Sequence, residues 1–171
     1  QQNKLVKEEA TSYYSFDFDE NGALYATCME TQTVGQIQKL NAVGENVYPQ
    51  KKYGETYYNT MTGVYNDPRF VDIAVDGNVL YVLEQYSKQI YAYDQNGNLL
   101  TVFGGEGNIK GTFVMPSALD TNSNGDVLVL DSSTGYIHWL ERTQFMDNIL
   151  SAVGDYDAGL YSEAQQSWNK V

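Results

Sequence analysis

The stretch DTNSNGDVLVLD, residues 120–131, opens as D-x-N-x-N-G, the spacing that begins a calcium-binding loop. Asp131 falls where such a loop places its bidentate acid. DFDENG, residues 17–22, repeats the opening. As metal sites, the two stretches would use Asp17, Asp19, Asn21, Asp120, Asn122 and Asn124. As turns, they would use Asn-Gly to supply the positive φ of a tight hairpin. A third stretch, IAVDGNVLYVLEQ, residues 73–85, decides between these readings. It keeps the apolar–turn–apolar plan, but the middle ligand position is Ala74. In the first stretch Cys28 stands where the final acid belongs. Calcium takes about six to eight oxygens, and each stretch arranges about three. The turn is the favoured reading, and no metal or other cofactor is expected.

The three stretches are parts of one repeated unit. Each is followed by another strand-like run: GQIQKLN (35–41), KQIYAYD (88–94) and GYIHWLE (135–141). Their isoleucines, Ile37, Ile90 and Ile137, lie roughly 50 residues apart. A fourth strand is expected from NLLTVFG (98–104) in the second unit, from FMDNILSAV (145–153) in the third, and within 43–48 in the first. VLYVL, residues 79–83, is continuously apolar, as a strand buried on both faces should be. Units of this length with four antiparallel strands are the signature of propeller blades.

The segment 103–131, FGGEGNIKGTFVMPSALDTNSNGDVLVLD, resembles an NHL repeat, the blade of many six-bladed propellers. The Gly-rich connector, the Phe before Pro116, the Asn-Gly turn and the final acid carry the resemblance. Residues 69–103 match nearly as well, and residues 13–48 less closely. The resemblance implies a mostly β fold: three four-stranded antiparallel blades, a partial propeller, with a C-terminal helix. The boundaries expected are an N-terminal extension (1–12), blades at about 13–67, 68–107 and 108–153, and a helix over 154–171. In that last stretch Tyr156, Leu160, Ala164, Trp168 and Val171 fall on one helical face. G-x-Y-x-x-A-x-x-x-W (159–168) resembles half a tetratricopeptide repeat.

Three blades cannot close a ring and would leave strand edges open. Either the chain is a fragment of a longer protein, or a homodimer completes a six-bladed ring. An NHL-like propeller followed by helical repeats resembles surface proteins of some bacteria, which implies an extracytoplasmic or cell-surface location.

Composition narrows the partners. The chain has 171 residues and a formal charge of −12, with acid spread along its length. Clustered Lys and Arg are absent, so no nucleic acid is expected. No apolar run of about 18 residues occurs, so no direct membrane insertion is expected. The sole cysteine, Cys28, lies in an apolar run and reads as a small buried hydrophobe.

Motifs that carry chemistry are few. FGGEGNIKG lacks the G-K-[ST] of a phosphate loop and reads as a connector between blades. His138 is the sole histidine and lies in a strand. The resemblance implies a second possibility, a metal-dependent lactonase or lyase using channel carboxylates. Glu84 and Asp131, at matched positions, are its natural candidates, against a structural role in fixing the next turn.

The stretch 48–68 is rich in tyrosine, with Tyr48, Tyr53, Tyr57, Tyr58 and Tyr65. Tyrosine gives rigid contact area at low entropic cost. Tyr53, Tyr57, Tyr58 and Tyr65 are therefore the candidate ligand-binding residues, against a reading in which they pack within blades. The sequence favours a noncatalytic recognition or scaffold module that binds a protein, peptide or glycan.

Overall fold

The computed structural model describes residues 12–29, 35–48 and 51–171, without the side chain of Tyr57. Three antiparallel sheets follow one another along the chain. The first contains β1 (Tyr13–Phe18), β2 (Leu24–Cys28) and β3 (Ile37–Leu40). A hairpin of β4 (Tyr57–Asn59) and β5 (Val64–Asn66) separates it from the second sheet. That sheet has four strands in sequence order: β6 (Phe70–Asp76), β7 (Val79–Glu84), β8 (Gln89–Asp94) and β9 (Leu99–Gly104). The third contains β10 (Pro116–Thr121), β11 (Val127–Asp131) and β12 (Tyr136–Leu140).

Each sheet begins with its innermost strand, and these strands are stitched together by carboxylates. Asp17 Oδ2 on β1 accepts the Val75 N–H of β6 at 2.8 Å. Asp72 Oδ2 on β6 accepts the Leu119 N–H of β10 at 2.7 Å. Asp72 Oδ1 also accepts from the Ser15 hydroxyl of β1. One side chain therefore ties all three inner strands, with the strength of charge-assisted bonds.

The core lies between the sheets in two layers. Tyr25 and Ile37 of the first sheet meet Ile73, Leu80, Val82, Tyr91 and Tyr93 of the second. On the other face of the second sheet, Ala74, Tyr81, Leu83, Ile90 and Ala92 meet Leu119, Val127 and Val129 of the third. All six residues of β7 are buried, as a strand packed on both faces must be.

Among the described residues, only the second sheet has a complete fourth strand. In the first, residues 43–48 give a single bridge, Leu40 to Asn46. In the third, FMDNILSAV is helical, because its entry signal is different. The third strands of the first two sheets end in NAVGE (41–45) and DQNGN (94–98). In each, the leading side-chain Oδ1 accepts two backbone N–H groups and turns the chain back: Val43 and Glu45 for Asn41, Asn96 and Asn98 for Asp94. The third sheet has Glu141 at that place and no glycine after it, so no such turn forms. Thr143 instead caps a helix, its hydroxyl accepting the Met146 N–H at 3.4 Å.

That helix, α1 (Gln144–Asp157), buries Met146, Ile149 and Ala152. Met146 and Ile149 join the second core layer. The chain then closes α1 through Gly159, whose N–H bonds the Tyr156 carbonyl while the Leu160 N–H bonds that of Asp155. It folds back as α2 (Tyr161–Trp168). The two helices lie antiparallel, with Ser151 against Ser167 at 3.2 Å and Asn148 reaching the Lys170 carbonyl. The tail is thus a helix pair, and 154–171 spans the end of α1 and all of α2. Of the helical face expected there, Ala164 is buried, whereas Tyr156, Leu160, Trp168 and Val171 are exposed.

Candidate functional site

Of the six residues of the calcium-like stretches, Asp17, Asp19, Asp120 and Asn122 are engaged by backbone N–H groups. Asp19 Oδ1 accepts the N–H groups of Asn21 and Ala23, and Asn122 Oδ1 accepts those of Asn124 and Asp126. Both are the side-chain-to-backbone turn already seen at Asn41 and Asp94. Glycine alone takes positive φ in them, +79° at Gly22 and +77° at Gly125; the asparagine before it does not. Asp17 and Asp120 lie on the inner strands. There Asp17 serves the stitch to β6, while Asp120 Oδ1 accepts the following Thr121 N–H.

Glu84 and Asp131 are equally occupied. Glu84 accepts the N–H groups of Arg69 and Ser87 and the Ser87 hydroxyl. Asp131 accepts those of Val114, Met115, Ser133 and Thr134. Burial pushes the Asp131 carboxyl up, but these four amides prevail and hold it below the usual carboxylate range. Both acids fasten the connector before a sheet to the turn after its second strand. Cys28 holds the matching place in the first sheet. Its thiol donates to the Gly35 carbonyl and accepts from Gln38, both at 3.1 Å, and burial pushes its pKa up.

The tyrosines divide. Tyr53 is 1% exposed, so it is a core residue and not an open ligand contact. It stacks on Tyr48 at 5.8 Å and meets Tyr93 edge-on at 5.4 Å. Burial raises the pKa of all three rings. Tyr58 and Tyr65 are exposed and pair across the β4–β5 hairpin at 4.9 Å. The Tyr57 backbone belongs to β4, and its side chain lies outside the described residues.

The largest departure from the repeat is on the third sheet. Strand register sets Leu130, Ile137 and Trp139 of this sheet against Leu83, Ile90 and Ala92 of the second. In the second sheet those three are 0% exposed; in the third they are 41%, 65% and 59% exposed. Asp120, the counterpart of Ala74, lies on the same face. Sequence reasoning singled out Ile137 only as a register mark. Its exposure follows from the place of the sheet in the array, which a repeat alignment does not show.

Beside this face lies a cavity of about 900 Å³, between the outer strands β9 and β12 and the start of α1. Thr101 and Phe103 line it from β9, His138 and Leu140 from β12, and Phe145 and Met146 from α1. The His138 ring meets Phe113 edge-on at 5.2 Å, and its Nε2 is buried without a hydrogen-bond partner among the described residues.

Successive antiparallel sheets, packed face to face with their first strands innermost, also occur in solved structures. The structure of YCF48 bound to D1 peptide superposes with a TM-score of 0.52 at 11% identity, over 77% of this chain and 37% of that one. This is the fold of a partial β-propeller. Virginiamycin B lyase from Staphylococcus aureus gives 0.47 at 16% identity, over 80% of this chain and 43% of that one. Kuenenia stuttgartiensis hydrazine synthase gives 0.43 at 16% identity, over 84% and 39%. The chain spans less than half the length of each. No protein-family model matches the sequence, and a search of curated proteins finds no match. Among the described residues, no helix is long and apolar enough to cross a membrane.

Proposed function

We propose that this partial propeller, NHL-like in its repeat, is a noncatalytic recognition or scaffold module that binds a protein or peptide through its third sheet. One observation carries the reading. Positions that are closed by the next sheet in the second copy stand open in the third, and they are apolar. Leu130, Ile137 and Trp139 form a contiguous face of the kind that marks interaction sites. YCF48, of similar fold, is a protein bound to a peptide, and the same class of ligand is proposed here. The helix pair would continue the scaffold as the start of a helical array, and an extracytoplasmic location accords with that organisation.

A homodimer closing a six-bladed ring is the simplest partner, but the inner strands argue for an unlike one. Asp17 finds the Val75 N–H because Ala74, not an acid, precedes it. Continuing the pattern, Asp120 would seek the Phe18 N–H of a second copy. Asp17 Oδ1 already holds that N–H at 2.8 Å. The two carboxylates would then be adjacent, a costly like-charge contact. A sheet with a small residue at the Ala74 place fits better. The enzyme alternative requires free carboxylates, and Glu84 and Asp131 are committed to backbone amides.

A random peptide library displayed on phage tests the reading. Peptides selected on the chain should lose binding to Leu130→Asp and keep it in the presence of chelator. Selected peptides indifferent to Leu130→Asp would overturn it. Peptides lost only on Tyr58→Ala or Tyr65→Ala would move the site to the hairpin, where a glycan could also stack.

A further inference from the structure

We infer that the free edge of β12 is a strand-addition site, where an extended peptide with apolar residues at alternate positions pairs as the missing fourth strand. The inference rests on the recognition reading and deepens it by naming the site and the mode of binding.

The second sheet is the internal template. There β9 pairs along β8, with Phe103 opposite Ile90 and Thr101 opposite Ala92. The register places Ile137 and Trp139 where Ile90 and Ala92 stand. The first sheet shows which way those backbones point. Lys39, the counterpart of Trp139, gives its N–H to Asn46 Oδ1 and its carbonyl to the Val47 N–H, both outside its sheet. Alternation along a strand gives Ile137 the same outward sense as Trp139. Among the described residues, no group from outside the third sheet takes the N–H of either. An unpaired edge of this kind is a template for another strand.

The cavity matches the same occupant. Across from β9 the third sheet has no fourth strand, and α1 fills that space only in part, with Met146 and Ile149. Alternate side chains of an added strand would enter the cavity between Phe103 and Phe145. A hydroxyl or amide among them could satisfy the buried His138 Nε2. The other side chains would extend the exposed face of Ile137 and Trp139. Because the chain carries a formal charge of −12, basic flanks would speed encounter and acidic flanks oppose it.

The probe is a synthetic peptide with the β9 sequence, LLTVFG, flanked by lysines. It is titrated into the full chain and read by amide hydrogen exchange. Protection should rise about tenfold or more at Ile137 and Trp139 on saturation. N-methylation of the peptide amides that face β12 should abolish binding, whereas methylation of the intervening amides should not. Phe145→Asp, at an exposed position in the cavity wall, should weaken binding about tenfold. The proposal is overturned if the peptide does not bind, if Ile137 and Trp139 gain no protection, or if binding survives methylation of the facing amides. Binding that leaves β12 unprotected and is lost on Leu130→Asp would overturn strand addition while leaving the recognition face in place.

Discussion

The second and third sheets are built from nearly the same sequence plan, yet one is closed and the other open. In the second, Leu83, Ile90 and Ala92 lie beneath the next sheet, and β9 covers the edge of β8. In the third, Leu130, Ile137 and Trp139 meet solvent, and α1 departs where a fourth strand would return. Similar side chains serve as core in one place and as surface in the other. In a repeat architecture, burial is a property of position in the array, because each unit contacts only its neighbours. Under the proposed function, the apolar residues of the third sheet's open face mark the place of a partner.

Paired substitutions test this difference most strongly. Leu83→Ala should destabilise the chain by about 2–5 kcal/mol in denaturant unfolding, the range for truncating a buried leucine. Leu130→Ala, at the matching place, should cost less than about 1 kcal/mol. Equal costs would mean that the third face is covered.

Asp131→Asn comes next. It removes the charge from a carboxylate that holds four backbone amides and should cost about 1–3 kcal/mol. The sign of its pH dependence follows from the lowered pKa. The folded state holds the carboxyl below its unfolded value of about 3.9. Its contribution is therefore present above that value and lost as pH falls through the lower folded one. Acid unfolding of Asp131→Asn should be correspondingly shallower.

A smaller effect is expected at the helix that replaces the fourth strand. Thr143→Ala removes the cap from α1 and should cost about 1 kcal/mol. The smallest is expected at the hairpin, where Tyr58→Ala should change stability by no more than about 0.5 kcal/mol. Tyr53→Ala, by contrast, should cost several times more, because the ring is core.

Much of the fold was legible. The register of Ile37, Ile90 and Ile137 set out the sheets, and the continuous apolar run at 79–83 identified β7 as buried on both faces. The acids at 84 and 131 were read as fasteners for the next turn, and that is where they bond. The helix over 144–157 was missed because alignment of the copies assigned a strand to FMDNILSAV. Glu141 in place of Asn41 and Asp94, with no following glycine, was the available signal. That some tyrosines of 48–68 pack within the blades was one of the two readings, but that Tyr53 is among them was not legible, because ring stacking across the first two sheets depends on contacts that spacing does not encode. That an array of three copies leaves strand edges open was legible from the repeat count; that Leu130, Ile137 and Trp139 form the open face was not, because burial depends on contacts between sheets.

Amide hydrogen exchange on the free chain tests the central claim most directly. The N–H groups of Ile137 and Trp139 should exchange far faster than those of Ile90 and Ala92, which face β9 across the matching edge. Equal protection at the two pairs would show the third sheet already closed and would contradict a docking role for it.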